Sequence, residues 1–238
     1  MLVLGIETST TRSSVALVDT DRVVASASLG VARRHGEFVA PAIRFCLEQA
    51  GLGVDRIHGV AVGTGPGLFT GLRVGIATAQ TFAAARHLPV VGLSGLDVLA
   101  FRVRYAQRVI CAVIDARRGE RFWAFYRTIP GGVQRESDPV VGRLDQLTAE
   151  LEAQRGDVLV VGDGALDDRE RLLAAGAEVA GPELAWPDAA DLAELAVPRF
   201  VREETRRPDE LRPIYLRDAD AKIGWEKYEG RGGGVVAT

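Results

Sequence analysis

Three short apolar runs bounded by polar turn positions open the chain, Leu2 to Glu7, Ser13 to Val18 and Val23 to Ser28, and they predict a meander of β-strands. Gly36 to Ala50 then has helical composition. Pro41 must fall in its first turn or kink it, and Gly51-Leu52-Gly53 ends it. A strand over Ile57 to Val62, a glycine-rich loop, a helix from about Thr70 to Arg86 and a strand over Pro89 to Leu93 follow. The first half of the chain therefore reads β-β-β-α-β-α-β.

The second half restarts the pattern. Arg108 to Asp115 and Glu120 to Arg127 read as strands around a turn at Ala116 to Gly119, and an acid ends the leading strand of each hairpin, Glu7 in the first and Asp115 in the second. Leu144 to Gln154, Asp167 to Ala175 and Asp188 to Phe200 read as helices and Asp157 to Val161 as a strand. A repeated strand-turn-strand unit followed by α/β crossovers predicts an α/β protein of two similar lobes facing a cleft, a duplicated β-β-β-α-β-α unit whose second copy is degenerate. This is the logic of the actin-like (ASKHA) ATPase fold shared by actin, sugar kinases and Hsp70. The expected lobes are residues 1–100 and 101–223, with the aperiodic stretch 224–238, rich in glycine, as a flexible tail outside the core.

Composition narrows the function. No apolar run approaches the roughly 20 residues that a membrane span needs, and Leu2-Val3-Leu4-Gly5-Ile6 lacks the basic and cleavage segments of a secretory leader, so a cytoplasmic location is expected. A net charge of −3 and a pI near 5.7 argue against a surface that grips a nucleic-acid backbone, so any contact with RNA is expected to be indirect. All but two of the 29 basic residues are arginines, and the two lysines, Lys222 and Lys227, stand near the C-terminus, which excludes a phosphate-loop or Schiff-base lysine in the body. Cys46 and Cys111 sit in apolar segments and read as inert core thiols.

The segment Gly63 to Gly75 runs from strand to helix. Its glycines permit a tight turn whose N–H groups are able to cradle an anion, or else it is only a turn capped by Thr70; it fits neither a Walker loop nor G-x-G-x-x-G. In the helix that follows, Gly71, Gly75, Ala79 and Ala83 recur every four residues and form a ridge without bulky side chains. Such a ridge admits another helix closely, the reading favoured here, or packs on the protein's own sheet. In the earlier helix Phe38, Ala42, Phe45 and Cys46 cover one side and Val39, Ile43, Leu47 and Ala50 another, more apolar surface than a single stripe, and this too points to a docked partner. His35, His58 and His87 share no helical face, so no local metal pair exists, and Ser9, Ser13 and Ser14 lack a nucleophile elbow. Glu7 and Asp115, with Thr8 and Ser9, are candidates for holding a hydrated metal and nucleotide phosphates across the cleft; the alternative is that both acids serve their own turns.

Gly65-Pro66-Gly67-Leu68-Phe69-Thr70-Gly71-Leu72-Arg73-Val74-Gly75 resembles the G-P-G-S-F-T-G-L-R-I-G signature of the TsaB/YeaZ family. Ile6-Glu7-Thr8-Ser9, Ser14 to Leu17, Asp115 to Glu120 and Pro213-Ile214-Tyr215-Leu216-Arg217 match further family segments in order. Leu68 stands for the usual serine, Glu7 for the commoner aspartate, and Phe122-Trp123 for a valine and tyrosine. The resemblance implies an ATPase-like fold without the transferase site: the catalytic paralogue TsaD carries a metal-holding histidine pair after the strand matching Val90 to Leu93, and Ser94 to Ala100 has none. It further implies a non-catalytic scaffold that pairs with TsaD and, with the ATPase TsaE, supports threonylcarbamoyl transfer to the adenosine beside the tRNA anticodon. Isolated, the chain is expected to form a homodimer. The expected partner surface comprises Phe38, Ala42, Phe45, Gly71, Arg73, Gly75, Ala79 and Ala83. No cofactor of its own is expected, only ATP or ADP with Mg²⁺ at a shared complex interface. Two rival activities remain: a glycoprotease-like hydrolase needs a metal pair or a nucleophile and base, and a small-molecule kinase needs an aspartate base and phosphate loops.

Overall fold

The computed structural model describes residues 1–216 apart from 21, 32–33 and 155–156; Arg217 and the stretch 224–238 lie outside the described residues. The first sheet holds β1 (Leu2–Glu7), β2 (Ser13–Asp19), β3 (Arg22–Leu29), β4 (Gly59–Gly65) and β5 (Val90–Ser94) in the order β3-β2-β1-β4-β5. The hairpin strands pair antiparallel and β1, β4 and β5 run parallel. All six residues of β1 are buried, which is why the run is apolar throughout rather than alternating. Leu2, Leu4 and Ile6 face α1 (His35–Ala50) and α2 (Phe69–Arg86), while Val3 faces the opposite layer.

The second sheet repeats that order. It contains β6 (Val109–Arg117), β7 (Glu120–Ile129), β8 (Gly132–Arg135), β9 (Val140–Arg143), β10 (Val158–Val161) and β11 (Glu178–Val179), arranged β11-β10-β6-β7-β8 with β9 also on β7. Read from the hairpin outward, β8-β7-β6-β10-β11 matches β3-β2-β1-β4-β5, so the two-lobed, duplicated α/β fold stands. The degeneracy is visible in length: the crossover helix α5 (Arg169–Ala174) has 6 residues against 18 in its counterpart α2, and β11 has two.

Two helices pack across the expected lobe boundary at residue 100. Here α3 (Gly95–Arg102) lies between the sheets: Val98 joins Val91 and Leu93 of the first, while Leu96, Leu99 and Ala100 pack against Ile110, Ala112 and Ile114 of the second. Conversely α6 (Ala189–Val201), from the second half, packs Leu192, Ala193, Ala196 and Phe200 on Val3, Ala16 and Ala61 of the first. Gly5 exists for this contact, since a Cβ there would fall on the Ala189 carbonyl oxygen. Polar bonds fix both exchanges. Tyr126 Oη donates to Asp97 Oδ1 of α3 at 2.8 Å, and Ala189 N donates to Ser14 Oγ at 2.9 Å. Chain order carried no trace of the swap, and the short elements α3, β8, β9 and β11 had no reading in the sequence. The remaining helix, α4 (Leu144–Ala153), buries Leu144, Leu147 and Leu151 against the second sheet. Strand ends differ from expectation by one to three residues; β4 starts at Gly59 and takes in Gly63 to Gly65 of the glycine segment.

Candidate functional site

The turn after β1 is sealed. Glu7, Thr8, Ser9 and Thr10 are at most 1% exposed. Ser9 N donates to Glu7 Oε1 at 2.6 Å, Thr8 Oγ1 to the Gly71 carbonyl at 2.8 Å, and Leu68 N to the Ser9 carbonyl at 2.7 Å. The glycines are what permit this: a Cβ on Gly63 would fall on Glu7 Oε2, on Gly67 on the Ser9 carbonyl, on Gly71 on the Thr8 carbonyl, and on Gly75 on Thr8 Oγ1. The segment therefore closes over the hairpin instead of cradling an anion. Thr70 does not cap α2; the N-cap is Leu68, whose side chain accepts nothing.

Burial pushes the Glu7 carboxyl up to about 7, with the charge of Asp188 adding to the effect and Ser9 and Thr8 opposing it. Its Oε2 and Ser9 Oγ have no hydrogen-bond partner. The turn is closed from the other lobe as well: a Cβ on Gly95 would lie 3.1 Å from Ser9 Oγ and 3.2 Å from Ile114 Cδ1.

Asp115 is placed differently. Its side chain is a quarter exposed, accepts from Arg117 N at 2.8 Å, and pairs with Arg117 Nη1 at 3.0 Å and Arg121 Nη1 at 3.7 Å. Arg121 also holds Asp168 and the Gly164 carbonyl. Half-buried Asp163, whose Oδ1 accepts from Asp115 N at 3.1 Å, is raised to about 6, first by desolvation. Both strand-end acids thus accept the N–H two residues on, the turn role weighed from the sequence. A Mg²⁺-nucleotide does not fit these residues: Glu7 is closed in by Gly63, and two guanidiniums already pair with the carboxylate oxygens of Asp115.

Sequence reasoning missed a serine–histidine pair. Ser13 Oγ lies 2.6 Å from His35 Nδ1, and both residues are buried. Twenty-two positions separate them, on the starts of β2 and α1, so only the hairpin fold brings them together. His35 Nε2 faces Gly71 across α2 and has no carboxylate partner among the described residues, so the pair fastens α1 to β2 rather than forming a nucleophile and base. His58 Nδ1 accepts from Leu2 N at 3.0 Å, and His87 is the left-handed C-cap of α2.

The ridge expected to meet a partner faces inward. Gly71, Gly75, Ala79 and Ala83 are buried on the protein's own sheet, with Ala79 and Ala83 in one core cluster with Leu4, Ile6 and Val62. Ala42 is buried there too, Phe38 is half-buried against the same core, and of the eight interface candidates only Phe45, 50% exposed, and Arg73 stand out in solvent. The physical reason is that four-residue spacing defines a stripe without saying which way it faces. The outer stripe of α2 is also small and nearly uncharged: Thr70, Arg73, Ala77, Thr81 and Ala84 are exposed. Between α1 and α2 lies an apolar groove of about 530 Å³ lined by Ala40, Ile43, Leu47, Val54, Thr81 and Phe82, with Arg44 as its one charge. A second groove runs between α1 and β3, past Leu29, Phe38, Pro41 and Phe45.

Comparison with known proteins gives these features a family. Residues 29–225 match the family model of TsaD, tRNA N6-adenosine threonylcarbamoyltransferase. The tRNA threonylcarbamoyladenosine biosynthesis protein TsaB of Escherichia coli K12 is 32% identical over 97% of this chain and 100% of its own, and that of Haemophilus influenzae 29% over 97% and 98%. The solved structure of YeaZ from Pseudomonas aeruginosa superposes with a TM-score of 0.79 at 30% identity, over 90% of this chain and 99% of that one. Component A of (R)-2-hydroxyglutaryl-CoA dehydratase from Acidaminococcus fermentans, at 12% identity and a TM-score of 0.50, shares the fold alone, over 84% of this chain and 99% of its own. With full-length identity to two TsaB proteins and the same two-lobed structure as YeaZ, the chain belongs to the TsaB (YeaZ) family.

Proposed function

We propose that this chain is a non-catalytic scaffold subunit in threonylcarbamoyl transfer to the adenosine beside the tRNA anticodon. It docks the catalytic subunit TsaD, works alongside the ATPase TsaE, touches tRNA only through them, and acts in the cytoplasm. The observation that carries the reading is the contrast between the sealed Glu7–Ser9 turn and the open, apolar α1–α2 groove. A groove of that size with one charge suits a protein partner better than solvent. In the isolated protein a second copy takes the partner's place. Any ATP or ADP with Mg²⁺ is assigned to a surface shared with the partner, since the acids within this chain are closed or already paired.

Thr81 is exposed and lines the groove, so Thr81→Arg should leave the fold intact while filling the docking surface with a long charged side chain. Mixing the purified chain with its cognate TsaD and measuring complex mass by light scattering should give a heterocomplex for the parent and free subunits for the variant. A folded Thr81→Arg protein that binds as tightly as the parent would move the partner surface elsewhere.

A further inference from the structure

Two stretches of sequence far apart meet at the start of α2. The segment after α6 crosses the molecule: Leu211 joins the first core, Ile214 N donates to the Thr64 carbonyl at 2.7 Å, and Leu216 packs against the core of the second sheet. On the way it lays Tyr215 on Phe69, with ring centroids 5.6 Å apart and planes 29° from parallel, the one stacked aromatic pair among the described residues. Arg73 covers Phe69 from above, its guanidinium carbon 3.8 Å from the ring centroid, and its Nε donates to Tyr215 Oη at 3.4 Å. Phe69, Ile214 and Tyr215 nevertheless remain 43–45% exposed.

This stack continues the exposed stripe of α2 through Ala77 and Thr81 to the groove, so the inference rests on the α1–α2 docking reading. We infer that Phe69, Arg73 and Tyr215, with Ile214 beside them, form one end of the partner surface and receive a carboxylate from an apolar helical protein. Aromatic and arginine side chains are the types that dominate such contacts. Arg73 is held in place by the ring and the phenol, so little side-chain freedom remains to be lost on binding. No carboxylate lies within 4.0 Å of it among the described residues, although Arg34 at the N-cap of α1 and Arg44 on that helix each have one. It is the only charge exposed on α2 before Arg86, which gives the contact a single electrostatic register. A nucleic acid suits the site less well, because one guanidinium neutralises a single phosphate and the whole chain is acidic.

The test uses the full chain and its cognate TsaD, with affinity measured by calorimetry at two salt concentrations and unfolding followed in parallel. Arg73→Glu should weaken binding on the order of 10- to 100-fold, and Tyr215→Ala by about 10-fold, with little change in thermal unfolding. Arg73→Gln should remove most of the salt dependence. If both stack variants bind like the parent while Thr81→Arg does not, the surface ends short of the stack and this inference is wrong. Normal binding by all of them, Thr81→Arg included, overturns the docking reading itself. Lowered melting temperatures with unchanged affinity would make the stack a fastening for the C-terminal segment only. Loss of tRNA binding with TsaD binding intact would reassign the stack to nucleic acid.

Discussion

The two hairpins are built to one plan and end in opposite environments. In the first lobe the acid lies against Gly63 in a turn that three further glycines close, and its charge meets no cation among the described residues. In the second the corresponding loop, Gly162-Asp163-Gly164, supplies another acid, and Arg117 and Arg121 gather the carboxylates at a half-open surface. The same strand-end position has become a buried acid without a cation partner among the described residues in one lobe and part of an ion network in the other. The residues around an acid decide its chemistry, and position within the fold does not.

The sharpest way to break the comparison is to charge the packed layer of the first lobe. Ala79 is fully buried and Thr81, two residues on, is exposed. Ala79→Arg should cost more than about 4 kcal/mol and prevent folding, against less than about 0.5 kcal/mol for Thr81→Arg. Urea unfolding of the two proteins checks this; equal stabilities would mean that the ridge is not internal.

Next in size is the difference between the acids. The Glu7 carboxyl is raised from 4.5 to about 7, so the folded chain holds the extra proton between those values, and stability from this group is present below 4.5 and lost as pH rises through about 7. Glu7→Gln removes that loss. The stability of the variant relative to the parent should therefore climb by up to about 3 kcal/mol between pH 4.5 and pH 8. Asp115→Asn, at a partly exposed ion network, should change stability by less than about 1 kcal/mol. Denaturant titrations across that pH range decide it, and a Glu7→Gln difference that stays flat with pH would show the first acid to be no more buried than the second.

How much of this was legible follows from the residues. The hairpins, the first two helices and the duplication were readable because their apolar runs are long and bounded by turns. The burial of Glu7 was not, since an acid at a strand end looks the same whether water or glycine covers it. The orientation of α2 was hidden for a related reason. Gly71, Gly75, Ala79 and Ala83 inside and Ala77, Thr81 and Ala84 outside differ little in polarity, so the helix carries almost no contrast between faces. Leu68 shows the reverse: the departure from the family signature was visible, and the structure gives it a place as an N-cap without an acceptor. Restoring the serine gives the smallest predicted effect. Leu68→Ser should gain an N-cap bond of about 1 kcal/mol, offset in part by lost apolar burial, for a net rise in Tm of roughly 1–2 °C. A clear fall in calorimetry would show that the leucine contributes more through packing than a cap contributes.

The exchange of α3 and α6 also sets a schedule for synthesis. When Ser94 has been made, the first sheet has both its crossover helices, yet the face formed by Val3, Ala16, Val18, Ala61, Val91 and Leu93 gains only Val98 of α3 before residues 189–201 are translated. At ~5–20 residues per second the nascent chain carries an open apolar face for on the order of 5–20 s. A gene cut at the boundary suggested by chain order would extend that interval indefinitely, leaving each fragment without the helix held by the other, and soluble protein should return only when the two are made together.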